Sequence, residues 1–306
     1  MTLGRHGITT RSGSKKLSTS LPTASRSSTR LLFAWIYPAG SRFQSRLRWL
    51  VQALAVPVTA LALWQLAASA GWLPSFLASP LAIGQQLVAL TLSGELMVHM
   101  QASLYRSAAG LALGAGCGIG LGLLSGVSAR VAGFFDPLVS LTYPVPKVAV
   151  LPVLIVWFGI SDISKILIIA ITCFYPCFIA ALYGVRAVDP LWVWAARNMG
   201  ARPHQVFFKV VVPAAAPQVF AGLRVALALA YVMMFASEII GSSNRTGLGF
   251  LIINADASGR FDLMFAAIVV IALLGFASDR LLLALRRRLL TGQLIAEELH
   301  RAQHST

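Results

Sequence analysis

Few side chains in this chain could carry out catalysis or bind a metal. The three cysteines, Cys117, Cys173 and Cys177, all lie in apolar stretches, and the last two are one helical turn apart. A metal or redox pair would fit that spacing, but burial among apolar side chains accounts for all three thiols more simply. The histidines are scattered, and the pair His300 and His304 near the carboxyl terminus is more simply explained as solvated than as metal-binding. We therefore expect no catalytic centre, no metal site and no bound cofactor.

Three ionisable residues stand inside or beside long apolar stretches: Lys147, Arg224 and Glu238. Charges in such places are costly and usually face a polar cavity or an ion-pair partner. Lys147 and Glu238 are therefore candidates to line a translocation path, in which Lys147 would offer a positive charge to an anion. The alternative is a structural pair or a side chain that reaches the interface. Arg224 and Glu238 cannot pair directly, because their sequence separation corresponds to about 21 Å along a helix.

The composition indicates that the elements positioning these residues lie in a membrane. Hydrophobic residues make up 57% of the chain and charged residues only 11%, and the mean hydropathy is +0.76. So few charged side chains cannot cover a water-facing surface, which excludes a soluble, disordered or disulfide-stapled protein. The net charge of +15 does not indicate a nucleic-acid partner, because the basic residues lie in short clusters between apolar runs.

Apolar runs of about 20 residues, the length that a helix needs to cross a bilayer, occur six times. We predict spans at 49–69, 107–129, 131–158, 166–185, 214–240 and 263–285, the third of them interrupted by prolines and Lys147. The fold class is therefore all-α, a polytopic membrane protein with six transmembrane helices within residues 47–290. A basic, Ser/Arg-rich tail at 1–46, expected to be disordered although its composition also suits a transit peptide, and a tail at 291–306 flank this domain.

Basic residues are distributed unevenly between the connections, and this sets the orientation. The connection 71–105 contains no Lys or Arg, whereas 186–213 contains four and the last span is followed by three consecutive arginines. Cytoplasmic connections carry the excess of Lys and Arg. Both termini and the 186–213 connection are therefore predicted to be cytoplasmic.

The second predicted span carries a row of glycines at intervals of four residues, which places them on one helix face. Such a face lets another backbone approach closely, which is how membrane helices pack without a hydrophobic driving force. The sequence leaves open whether the partner helix belongs to the same subunit or to another one. The row consists of Gly110, Gly114, Gly118 and Gly122.

The connection 186–213 contains the clearest local signals in the chain. Asp189 suits a helix N-cap, Pro190 the first helical position and Gly200 the residue after the end, which predicts a helix of about ten residues. Pro203 opens a second short helix. The first helix has one apolar face, which indicates a docking partner, although a helix lying on lipid is the alternative. That face comprises Trp192, Ala195, Ala196 and Met199.

The same connection resembles the signature of the inner-membrane permease subunits of binding-protein-dependent ABC importers. That signature reads Glu-Ala-Ala, three residues, Gly, nine residues, Ile-x-Leu-Pro. Trp194 stands where the family usually has Glu. Two further stretches, 144–160 and 236–250, look like the corresponding parts of the aliphatic sulfonate, taurine and nitrate permease group. The residues that match the signature are Ala195, Ala196 and Gly200, with Val210, Val212 and Pro213 at the Ile, Leu and Pro positions.

The resemblance implies the type I ABC importer permease fold in a bacterial inner membrane. It also implies three protein partners: an ATPase subunit, a periplasmic solute-binding protein and a second permease copy. The ATPase would dock on 186–213, with Trp192 and Met199 as anchors. The chain contains no G-x-x-x-x-G-K-[ST] motif, so ATP must be bound by the partner. The implied solute is a small anion, with aliphatic sulfonates first and nitrate, taurine or bicarbonate as alternatives.

Two other classes of membrane protein compete with this interpretation. A secondary transporter would use internal repeats and intramembrane charges for coupling, and the sequence offers no repeat and few such charges. A membrane enzyme would need convergent acid and base residues, which the sequence does not indicate. Neither class explains the apolar cytoplasmic connection.

Overall fold

The structure, a computed structural model, describes residues 41–240 and 245–304, with side chains over 55–240 and 245–290. The chain divides into two units between Leu61 and Ala62. Most of the predicted tail at 1–46 lies outside the described residues, and the first helix, α1, begins at Ser41 and ends at Ser69.

Every regular element in the described residues is a helix, as the all-α prediction requires. The helices after α1 are α2 Pro80–Leu92, α3 Glu95–Val127, α4 Ala129–Thr142, α5 Leu151–Phe158, α6 Asp162–Arg186, α7 Pro190–Asn198, α8 Pro203–Val206, α9 Val212–Ile239, α10 Leu248–Ala257 and α11 Phe261–His304. A 3₁₀ turn, Lys147–Val150, precedes α5, and a π-helical turn, Phe207–Val211, joins α8 to α9 without a break. α11 is kinked at Leu290 and continues through most of the predicted tail at 291–306.

Within the described residues, four helical stretches are long and apolar enough to cross a membrane, and a bent pair makes a fifth. These correspond to the second to sixth predicted spans. The described part of the first predicted span, Ala55–Ser69, is a shorter apolar helix, so the sixth crossing stays a prediction. The four stretches are Glu95–Val127, Asp162–Arg186, Pro203–Ile239 and Phe261–Leu290, and the bent pair, Ala129–Thr142 with Lys147–Phe158, turns by 93°.

The glycine row of α3 packs against α6 of the same subunit, which answers the question that the sequence left open. A Cβ added to Gly118 would lie 2.5 Å from the backbone oxygen of Phe174, and one added to Gly122 would lie 2.5 Å from that of Phe178. Gly110 and Gly114 meet α6 in the same way, at Ile169 and Ala170. Helix backbones can approach this closely only where one helix has no side chain.

The main core lies where α6 packs between α3 and α9. Cys173 and Cys177 are fully buried there, as the sequence favoured, and the Cys173 thiol donates to the carbonyl oxygen of Ala226 on α9 at 3.3 Å. Gly222 of α9 also packs closely against Ala180 of α6. α6 is therefore held by small residues on both sides.

Replacement of Gly118 by alanine should destabilise the fold, because the added Cβ would overlap the Phe174 carbonyl. Overpacking of this kind costs about 1–3 kcal/mol. Thermal unfolding of the purified protein in detergent measures the effect. Gly120 is the matched control, because a Cβ there meets nothing within 4 Å and alanine is the better helix former. Equal melting temperatures for the two variants would contradict the packing described.

Candidate docking surface and buried charge network

The short helix α7, in the connection predicted to be cytoplasmic, begins as the sequence predicts. A side-chain oxygen of Asp189 accepts a hydrogen bond from the Leu191 backbone N–H at 2.9 Å, and Pro190 occupies the first helical position. The cap satisfies one of the free N–H groups at the helix start, and proline there removes a donor that would otherwise be unpaired.

The end of α7 is fixed by Gly200, which has a φ of +83°. The Gly200 N–H donates to the carbonyl oxygen of Arg197 at 2.9 Å, and the Ala201 N–H donates to that of Ala196 at 3.1 Å. These two bonds form a Schellman motif, which needs a residue in the left-handed region at this position. The signature glycine thus stops the helix and sets the direction of the chain.

The two signature alanines face different ways. Ala195 is exposed, whereas Ala196 is buried in a cluster that also contains Val185 at the end of α6 and Val206 and Val211 of the following segment. Small size at Ala196 therefore lets α7 pack onto its own subunit. Trp192, Trp194 and Met199 remain exposed, with Trp194 at 66% and Met199 at 81%.

Two open grooves flank α7. The Trp192 groove, about 410 Å³, is formed by Trp192, Ala195 and Met199 together with Lys209, Val210 and Pro213. The Trp194 groove, about 520 Å³, is formed by Trp194 and Arg197 together with Pro203, Phe207, Leu124 and Val127. Val212, the remaining signature position, is half-buried in the first turn of α9. The exposed residues of these two grooves are a candidate docking surface, called the docking surface below, and they are continuous with a membrane-spanning helix.

Glu238, at the predicted outer end of α9, is fully buried in a network of hydrogen bonds and charges. Arg106 of α3 donates to it from Nη1 at 2.7 Å, Ser103 donates to both carboxylate oxygens at 2.9 Å, and the Gly249 N–H donates at 2.9 Å. Gly247 lies so close that an added Cβ would be 2.5 Å from the Glu238 carboxyl carbon. This is the structural pair that the sequence left as the alternative to a translocation path.

Arg106 is the residue that sequence reasoning missed. It directly precedes the second predicted span, 107–129, but it lies within α3 and is 1% exposed. Its Nε donates to Asp162 at the start of α6 at 2.7 Å, and its Nη1 donates to the Thr246 carbonyl at 2.9 Å. A buried carboxylate such as Glu238 requires a cationic partner, and this requirement was the available signal.

Lys165 of α6 lies close to this network and is 2% exposed. Its amine is buried and has no hydrogen-bond partner within residues 55–240 and 245–290. Arg106, Glu238 and Asp162 all interact with it electrostatically. In the sequence, Lys165 directly precedes the fourth predicted span, 166–185.

Lys147, the other candidate for the translocation path, lies at the bend after α4. Its amine donates to the carbonyl oxygens of Thr142, Tyr143 and Val145 at 2.7–2.8 Å and stands 4.1 Å from the ring centroid of Tyr175. The ammonium therefore satisfies carbonyls at the end of a helix, a role that lysine often takes. Contact of Lys147 with a passing anion stays a prediction.

Arg224, the third ionisable residue singled out, pairs with Asp279 of α11. Its Nε and Nη2 donate to the two Asp279 oxygens at 2.6 and 3.0 Å. This bidentate pair is exposed in the isolated subunit and joins α9 to α11.

Residues 118–291, more than half of the chain, match the family described as the binding-protein-dependent transport system inner membrane component. The chain belongs to this family. The permease is accordingly a multi-pass protein of the inner membrane, and the match covers the docking surface and Glu238.

Curated relatives extend the similarity beyond this region. The permease is 36% identical to the putative aliphatic sulfonates transport permease protein SsuC of Bacillus subtilis over 81% of its own length and 89% of that protein. It is 36% identical to the taurine transport system permease protein TauC of Escherichia coli over 71% of its length and 80% of that protein. It is also 34% identical to a putative aliphatic sulfonates transport permease protein of Escherichia coli, over 76% of its own length and 89% of that protein.

Solved structures share the fold of the permease. A subunit of the inward-facing MetNI methionine ABC transporter superposes with a TM-score of 0.51 at 19% identity, over 62% of this chain and 95% of that one. A second crystal form of MetNI gives the same TM-score at 18% identity. The expected type I ABC importer permease fold is therefore confirmed, independently of what that transporter carries.

Replacement of Glu238 by glutamine should strongly destabilise the permease, because it leaves the Arg106 charge buried without its carboxylate. Breaking a buried pair costs about 3–5 kcal/mol. Asp279→Asn is the control, since the Arg224–Asp279 pair lies on the surface of the isolated subunit and the long Arg224 side chain can extend toward the interface once it loses its partner, so the loss should matter less. Thermal unfolding in detergent compares the two, and an Asp279→Asn variant that is as unstable as Glu238→Gln would contradict the network's role.

Proposed function

We propose that the permease carries a small anionic solute inward across the membrane, using energy from a separate ATPase subunit that docks on α7. The observation that supports this most directly is the exposed apolar face of α7 on a helix whose two ends are both fixed by caps. An apolar patch of this kind on an aqueous surface indicates a protein partner.

The connections of α7 explain how docking would move the spans. Ala196 and Val185, the penultimate residue of α6, belong to one buried cluster, and the π-helical turn leads directly from α8 into α9. A displacement of α7 is therefore passed to two membrane-spanning helices through packed side chains and continuous backbone. The ATPase binds and hydrolyses ATP, and the permease supplies the path.

The family membership supports two further partners. A periplasmic binding protein delivers the solute to the outer side, and a second copy of the permease completes the translocation path. We propose a homodimer. Recognition of the solute is then divided between the binding protein and the path.

Aliphatic sulfonates are the solutes that the relatives support best. Two of the relatives are named as putative aliphatic sulfonates permeases and one as a taurine permease, and taurine is itself a sulfonate. Nitrate, taurine or bicarbonate are the alternatives for the same kind of permease. A secondary transporter is the alternative from another class, but it would leave the docking surface without a role.

Replacement of Gly200 by valine should weaken association with the ATPase subunit and lower transport. A β-branched residue at φ +83° costs on the order of 1–2 kcal/mol, so the Schellman motif should open and α7 should lose its orientation. Co-purification of the ATPase with tagged permease, together with solute uptake by cells, measures the effect.

Gly200→Asn is the matched control, because asparagine tolerates the left-handed region. No other atom lies within 4 Å of a Cβ at this position, so the difference between the variants reports backbone conformation and not crowding. Full transport by Gly200→Val would show that α7 does not couple the ATPase to the spans.

Deletion of the permease gene should abolish growth on an alkanesulfonate as sole sulfur source and leave growth on sulfate unchanged. Restoring the gene on a plasmid should restore growth, and the Gly200→Val variant should restore it poorly. Unchanged growth on sulfonates together with reduced nitrate uptake would contradict the sulfonate assignment and leave the permease assignment intact.

A further inference from the structure

A groove of about 660 Å³ runs between α9 and α11 and shares no lining residue with the docking surface. Its walls are apolar, apart from three charged side chains and the hydroxyl of Tyr231. That hydroxyl is hydrogen-bonded to Ser278 at 2.7 Å, so it is not available to the groove. We call this cavity the α9–α11 groove. Its lining includes Phe220, Arg224, Tyr231, Gly275, Asp279 and Arg286.

The α9–α11 groove is about as long as one leaflet of a bilayer is deep. Phe220 and Tyr231 mark its extent on α9, and their separation in the sequence corresponds to about 16 Å along a helix. The hydrocarbon core of a bilayer is ~30 Å thick, so one leaflet takes up about half of that distance. On α11 the groove runs from Gly275 to Arg286, the first residue after the predicted span 263–285. It therefore extends from the predicted cytoplasmic interface toward the middle of the membrane.

The charged lining of the groove is positive overall. It consists of Arg224, Arg286 and Asp279, and both carboxylate oxygens of Asp279 accept hydrogen bonds from Arg224. The Nε of Arg286 is shielded from solvent and has no hydrogen-bond partner among the described side chains. Buried nitrogen donors are normally paired. Arg286 therefore has a donor to offer to an anionic oxygen at the cytoplasmic end of the groove.

A second copy of the permease does not supply that oxygen. In the described part of the chain, the acidic residues on the predicted cytoplasmic side are Asp136, Asp189 and Asp279, and each already has a partner. Asp136 accepts a hydrogen bond from Arg186, and Asp189 caps α7. A copy of the same chain would thus have to break one of these contacts to pair with Arg286. The phosphate of a lipid pairs with it at no such cost.

We propose that the α9–α11 groove binds an anionic phospholipid of the cytoplasmic leaflet. Arg286 donates to the lipid phosphate, and one acyl chain lies along the apolar walls toward Gly275 and Tyr231. The cytoplasmic leaflet is rich in anionic lipids, and basic pockets between membrane helices on this side suit their head groups. The bound lipid fills the space between α9 and α11. This inference does not rest on the proposed function, because it involves neither the ATPase subunit nor the solute.

Lipid bound to the full-length permease tests the head-group contact. The purified protein is equilibrated in mild detergent with equal amounts of phosphatidylglycerol and phosphatidylcholine, and the lipids that co-elute with it are measured by mass spectrometry. The parent should favour phosphatidylglycerol, and Arg286→Gln should lower this preference about fivefold, in line with the contribution of one arginine to anionic-lipid binding. High salt should lower the parent's preference in the same direction.

Arg130→Gln is the matched control for the head-group contact. It removes the same charge from an exposed arginine on the same predicted side of the membrane, outside the groove. Its effect on the preference should stay below about twofold, because an exposed charge outside the site is screened by salt. Equal losses in Arg130→Gln and Arg286→Gln would show a general surface effect and overturn the site.

Gly275→Leu tests the acyl-chain contact. A Cβ at Gly275 meets nothing within 4 Å, so a leucine side chain fills the groove without displacing a neighbour. The variant should bind less of both lipids per permease. Gly120→Leu makes the same change at an equally open position of α3 and should leave the bound lipid unchanged. Melting temperature and elution volume establish that both variants are folded.

Three outcomes would overturn the lipid site. The first is equal lipid content in Gly275→Leu and the parent. The second is a change of oligomeric state in Gly275→Leu or Arg286→Gln with unchanged lipid preference, which would assign the groove to a second copy. The third is displacement of the lipid by a free alkanesulfonate, which would assign the groove to the solute. Loss of the site would leave the docking of an ATPase on α7 unaffected.

Discussion

The close approach of α3 to α6 is the constraint on which the rest of the permease depends. Lipid provides no hydrophobic force between helices, so contact has to come from backbone packing, and the glycine row makes it possible. A Cβ at Gly118 or Gly122 would lie 2.5 Å from an α6 carbonyl oxygen. The same packing fixes the two ends of the helix pair, where the charge network and the docking surface lie.

At the end predicted to be cytoplasmic, Gly126 of α3 packs against Val185 of α6, and Val185 belongs to the same buried cluster as Ala196 of α7. At the other end, Arg106 of α3 binds Asp162 of α6 and Glu238 of α9. α3 and α6 are thus tied together at both ends, by close packing at one and by charges at the other. A partner that moves α7 acts on a braced unit, which suits a rocking movement better than local deformation.

The sequence predicted the local features of this structure well and the long-range contacts poorly. The two ends of α7 were predicted from Asp189, Pro190 and Gly200, because helix capping depends only on residues that are close in the sequence. The need of Glu238 for a cationic partner does not identify Arg106, because Arg106 borders an uncharged run and is 132 residues away in the sequence. Trp192 and Trp194 line two different grooves, and these grooves form only when α7 packs against the rest of the subunit. The sequence of α7 alone does not indicate them.

Transport by purified components in liposomes tests the central claim most directly. The permease is reconstituted with its ATPase subunit and binding protein, and uptake of a labelled alkanesulfonate is followed with and without ATP on the ATPase side. The account predicts uptake that requires all three proteins and ATP hydrolysis, and that persists when ion gradients are collapsed. Uptake by the permease alone, driven by an imposed proton or sodium gradient without ATP, would contradict it.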